Sequence, residues 1–108
     1  MKPVYMAAKI IRSAKDVQIG LQPRVLSAWY DRIILQTKEM APPWLHDKIG
    51  VTQDLILPMK FRLNLSKRAV QYFMIAVDSN LAAMPYSTRQ YFLRVQQEVA
   101  TEMDSYLV

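Results

Sequence analysis

The residues that could do chemistry in this chain are few. His46 is the single imidazole among 108 residues, and cysteine is absent. That excludes a disulfide framework, a thiolate zinc site and a cysteine nucleophile. A serine or threonine nucleophile needs a base beside it, and the neighbours of His46 carry no triad signature. Glu98 and Glu102 stand four apart, on one face of a predicted helix. They lack the second carboxylate pair or histidine that would make a cation site, so they read as a solvated face. Gly20 and Gly50 are the only glycines and lie thirty residues apart, which excludes a glycine-rich phosphate loop. The seven methionines are scattered and read as adaptable packing.

The remaining chemistry is positive charge. Lys60, Arg62, Lys67 and Arg68 gather before and into a predicted helix, with Phe61, Tyr72 and Phe73 interleaved. A helix start in such a setting favours phosphate. A recognition helix, however, would carry more polar base-reading side chains than this one does. The same cluster suits anionic lipid headgroups or acidic protein loops. The net charge is +5 and unevenly spread. Residues 1–68 hold twelve Lys/Arg against five Asp/Glu, whereas residues 69–108 hold two against four. A basic front half implies an anionic partner.

These residues must be held by a small scaffold. A chain this long makes one domain with a marginal core. At 52% apolar and 21% charged it is neither a disordered acidic tail nor a low-complexity linker. No stretch approaches the ~20 consecutive apolar residues of a spanning helix. The run Ala69–Val77 is broken by Gln71 and followed by Asp78. Met1–Ala28 carries five cations and one acid, Asp16, and is similar to a mitochondrial targeting segment or a retained basic arm.

The periodicity predicts four helices and an all-α fold. The first spans Val4–Lys15, with Val4, Ala7, Ala8 and Ile11 on one face. The second spans Arg24–Glu39 after Pro23, with Val25, Trp29, Ile33 and Gln36 on one stripe, widened by Leu26, Ile34 and Leu35. Pro42-Pro43 ends it, and an irregular connector around Gly50 follows. The third is predicted from an Ser66 N-cap to Ala83, with Val70, Phe73, Val77 and Leu81 inward. The fourth opens on Ser87 and Gln90 at capping-box spacing and turns Tyr91, Phe92, Val95, Val99, Met103 and Tyr106 to one side. The last two form an antiparallel hairpin. No segment alternates like an amphipathic strand. The expected architecture is a basic arm over residues 1–22 and a helical body over residues 23–108. Its apolar faces exceed what one small core can use, which is the profile of a subunit.

Several of these residues, in order, resemble a family. Ala76-Val77-Asp78-Ser79-Asn80-Leu81 followed by Gln90-Tyr91 is similar to a stretch of subunit 7 of the mitochondrial cytochrome bc1 complex, the ubiquinone-binding protein family. There, Ala-Leu-Asp-x-Asn-Leu precedes an aromatic, usually tryptophan, that follows Gln at the same spacing. Trp29-Tyr30, Lys48-Ile49-Gly50-Val51 with Asp54-Leu55, Arg62-Leu63, Met84-Pro85 and Tyr106-Leu107 fall in the family's order. One arginine and a proline of the family's Arg-Arg-Leu-Pro are missing, and the charged tail is absent.

The resemblance implies a helical, non-catalytic accessory subunit without cofactor or metal, peripheral on the matrix side of the inner membrane. Its partners would be cytochrome b and the core subunits of complex III, in a hetero-oligomer without nucleic acid and with anionic lipid as a further contact. On that reading Lys9, Arg12, Lys15, Trp29, Tyr30, Arg62, Lys67 and Arg68 contact partner or lipid. The alternative is a small basic RNA-binding component, such as a mitochondrial ribosomal protein.

Overall fold

The computed structural model describes residues 5–10, 20–53 and 60–105. Its elements are β1 (Tyr5–Ile10), α1 (Pro23–Met40), a 3-10 turn (Pro43–Lys48), β2 (Ile49–Gln53), β3 (Phe61–Ser66), α2 (Val70–Leu81) and α3 (Tyr86–Ser105). The all-α expectation is therefore corrected: a three-stranded antiparallel sheet, ordered β1-β3-β2, underlies the helices.

β3 is the centre of that sheet. β1 pairs with it from Tyr5 opposite Ser66 to Ile10 opposite Phe61. β2 pairs on its other side from Ile49 opposite Leu65 to Gln53 opposite Phe61. Both outer strands run antiparallel to β3 and so parallel to each other. A long crossover must join such strands, and α1 with the 3-10 turn supplies it. Phe61, Leu63 and Leu65 are buried, Arg62 is exposed and Asn64 half-buried. This is the period-2 pattern of a strand with one covered face. The alternation Phe-Arg-Leu-Asn-Leu was present in the sequence but short.

The predicted first helix is likewise corrected. Residues 5–10 are strand, while residues 11–15 of that prediction lie outside the described residues. The basic arm is not separate from the body, because its residues 5–10 run along the whole length of β3. Short apolar segments fit either period, and β3 offers backbone hydrogen bonds that an isolated helical arm could not replace.

The second helix forms as expected, with Pro23 in its first turn and an end before Pro42-Pro43. Its inner stripe is rotated from the predicted one. Leu26, Tyr30, Ile33, Ile34 and Thr37 are buried, while Val25, Trp29 and Gln36 lie half-buried and Leu35 is exposed. Thr37 keeps its place in the core because its Oγ1 donates to the Ile33 carbonyl at 2.7 Å. Part of the predicted connector is ordered as the 3-10 turn and β2.

α2 is shorter at its start than predicted. Ser66 ends β3 instead of capping the helix, and Ala69 occupies the cap position without a side-chain bond. The Ser66 carbonyl accepts from the Ala69 amide at 3.0 Å, and its buried Oγ has no hydrogen-bond partner among the described residues. Val70, Phe73 and Val77 face inward as expected, joined by Ala76 and Asn80. α2 and α3 are antiparallel, since Asp78 meets Gln96 while Leu81 meets Arg89. Arg89 closes the corner by donating to the carbonyls of Leu81 at 2.9 Å and Met84 at 3.2 Å.

The core is shared by sheet and helices. α1 lies along β2, α3 lies along β1, and α2 packs on both helices. Tyr30 stacks on Phe61 with ring centroids 5.0 Å apart and meets Phe92 edge-on at 4.9 Å. Tyr91, Phe92, Val95 and Val99 supply the inner side of α3 as predicted, with Met103 at its margin. Tyr106 lies outside the described residues. Among the described residues no helix is long and apolar enough to cross a membrane.

Candidate functional site

Pro42 and Pro43 fix an extended entry and a helical first turn, which delivers Trp44 and Leu45 in opposite directions. Leu45 is buried and anchors the turn. Trp44 is 60% exposed, an unusual position for so large an apolar ring. The Leu45 amide donates to the Pro42 carbonyl at 2.9 Å. His46 sits half-buried with its Nε2 3.0 Å from the Ala41 carbonyl, so a protonated Nε2 donates there. Its work is to hold the turn.

Opposite the turn stands the start of α2. Lys67 and Arg68 are exposed in the bend between β3 and α2. The Arg68 guanidinium carbon lies 5.6 Å from the centre of the Trp44 ring, within cation–π range. Pro42, Trp44 and Leu45 on one side and Arg68, Gln71 and Tyr72 on the other enclose an open groove of about 350 Å³. Among the described residues, no carboxylate pairs with Arg62, Lys67 or Arg68. The groove thus combines two aromatic rings with positive charge at one end that no carboxylate among the described residues pairs.

The predicted contact residues do not converge. Arg68 and Lys67 belong to the groove or its rim. Arg62 is exposed on the outer sheet face, and four residues of strand put it about 13 Å from the end of β3. Lys9 occupies the register position opposite Arg62. Arg12 and Lys15 lie outside the described residues. Trp29 is half-buried with Arg32 stacked against it at 5.6 Å. Tyr30 is fully buried, so its side chain offers nothing to a partner. Trp44 itself was not singled out in the sequence. Its signal was a tryptophan directly after two prolines.

Glu98 and Glu102 lie with Arg94, Gln97 and Thr101 on the outer side of α3. Partial burial raises the Glu98 carboxyl above its ordinary value, opposed by Arg94 and reinforced by Glu102. Among the described residues, no group of three or more His, Asp or Glu side chains is placed to hold a metal ion.

Compared with protein families, characterised proteins and solved structures, the chain matches none of them. The resemblance to bc1 subunit 7 therefore stands on its residues alone. Several of those residues meet in the fold. Tyr30, of the Trp29-Tyr30 pair, bonds to Tyr91, of the Gln90-Tyr91 pair, hydroxyl to hydroxyl at 2.9 Å. Asn80 donates to Gln36 Oε1 at 2.7 Å and to the Ala76 carbonyl at 2.7 Å, tying α2 to α1. Asp78 accepts from Gln96 Nε2 at 2.7 Å. Ile49, Gly50 and Val51 begin β2, opposite Leu65, Asn64 and Leu63 of β3.

Proposed function

We propose that the chain is a non-catalytic accessory subunit of the mitochondrial cytochrome bc1 complex, peripheral on the matrix side, supporting assembly beside cytochrome b and the core subunits. The observation that carries this reading is the meeting of Tyr30 with Tyr91. Two elements of the ordered resemblance, far apart in the chain, make one buried contact. The sheet is the departure from the helical subunit that the resemblance implies. Exposed Leu35, Met40, Trp44, Ile75, Tyr86 and Leu93 support the broader part of the reading, a chain that docks onto larger neighbours.

A second reading, a small RNA-binding component, is favoured by the stacked Trp44–Arg68 pair beside Lys67. Aromatic faces and cations are what bases and phosphates bind. Purification of a tagged copy from gently solubilised mitochondria, followed by a native gel and mass spectrometry, separates the two. The accessory-subunit reading expects cytochrome b and cytochrome c1 in a quinol-oxidising band. Recovery with ribosomal proteins, or as a free 12.6 kDa species, rejects it.

A further inference from the structure

Gln71, Tyr72 and Ile75 follow helical spacing along one side of α2, and Arg68 stands just before its first turn. Gln71 is exposed, Tyr72 half-buried and Ile75 54% exposed. At the Arg68 end this strip faces Pro42, Trp44 and Leu45 across the groove. The surface therefore changes along its length, from a cation through two aromatic rings to an open isoleucine.

Its electrostatics are one-sided. The Arg68 guanidinium lies within cation–π range of Trp44, and its planar fork can receive a carboxylate through two parallel bonds. No carboxylate among the described residues does so. Trp, Tyr and Arg are the side chains enriched where proteins bind proteins. A groove tracking a nucleic-acid backbone would carry cations along its whole length. α2 has no lysine or arginine, and the strip ends on Ile75.

We propose that this groove docks an extended acidic segment of a partner protein. One large apolar side chain of that segment sits against Trp44 and Tyr72, and a carboxylate beside it pairs with Arg68. The inference goes beyond the complex III reading and does not depend on it, because any neighbour with that chemistry fits.

The test is amide chemical-shift mapping on the purified full-length chain at about 0.15 M salt, where distant surface charges are screened. The probe is the end-blocked peptide Asp-Glu-Phe-Glu-Asp. Its controls are Asn-Gln-Phe-Gln-Asn, Asp-Glu-Gly-Glu-Asp and a short oligouridylate. The expected result is saturable shifts confined to residues 44–45 and 68–75. Affinity should fall about tenfold or more with either control peptide, and with Arg68→Glu or Trp44→Ala. Arg62→Glu, outside the groove, should leave it unchanged. Both altered groove side chains are exposed, and the spectrum itself reports whether each variant is folded. Shifts absent from these residues, shifts spread over the sheet, or tighter binding of the oligouridylate at the same amides each overturn the proposal. Peptide binding without recovery in complex III rejects only the location, and recovery without peptide binding rejects only the groove.

Discussion

Tyr30 and Tyr91 face each other across the core, their hydroxyls 2.9 Å apart and their rings edge to face at 6.1 Å. The two phenols satisfy each other where both are almost completely buried. Phe61 and Phe92 complete an aromatic cluster around Tyr30, so β3, α1 and α3 converge on one ring.

Removing one hydroxyl leaves the other buried without its partner. Tyr91→Phe should lower the unfolding free energy by about 1–3 kcal/mol, and Tyr30→Phe by a similar amount. The double variant should be less destabilised than the sum of the two, because no orphaned hydroxyl remains. Urea unfolding of all four proteins gives the coupling directly. Additive losses would mean that the two hydroxyls do not interact.

The same pair predicts alkaline sensitivity. Burial raises both phenols well above their ordinary value of 10.0, and at Tyr91 the neighbouring Tyr30 raises it further. In the unfolded chain they ionise near that ordinary value, so above it the folded state holds more protons than the unfolded state. Stability is then fully present below about pH 10 and falls as pH rises beyond it. The melting temperature of the native chain should drop steeply above this point. Tyr30→Phe/Tyr91→Phe should show a flatter profile.

Alternation along β3 can be tested with two adjacent residues. Leu63→Asp places a charge in the core and should cost several kcal/mol, enough to unfold a domain of this size. Arg62→Asp, on the outer face, should change stability by no more than about 0.5 kcal/mol. Circular dichroism melts of the two variants decide it. Equal effects would show that the strand does not present opposite faces to core and solvent.

Arg89 joins α2 to α3 through the carbonyl of Leu81 at the end of α2 and that of Met84 in the connection between them. Arg89→Ala should cost about 1–3 kcal/mol, since each bond has a charged donor. Hydrogen exchange should quicken at the amides of residues 78–84 before it does in β3. Unchanged exchange there would remove Arg89 from the corner.

Removal of residues 1–10 takes away one whole partner of β3. The shortened chain should lose amide protection along β3 and unfold at lower urea. A retained native spectrum would contradict the pairing.

Much of the helical part was legible in the sequence because helices are local. Pro23 and Pro42-Pro43 bracket α1, Pro85 separates α2 from α3, and the inward Val70, Phe73, Val77, Tyr91, Phe92, Val95 and Val99 follow from spacing alone. The rotation of α1 was not, because Ile33 fits both stripes and it takes Phe61, Tyr91 and Phe92, all distant in the chain, to bring Tyr30 inward while leaving Trp29 at the margin. The sheet was missed for a related reason. A strand of five or six residues gains its hydrogen bonds from chain far away, so the periodicity of Val4, Ala7, Ala8 and Ile11 could not reveal that β3 is its partner. The groove is the clearest case. The sequence determined that a tryptophan follows two prolines and that two cations precede a helix. Trp44 comes within cation–π distance of Arg68 only through tertiary packing, because neither local segment holds both sides of that contact.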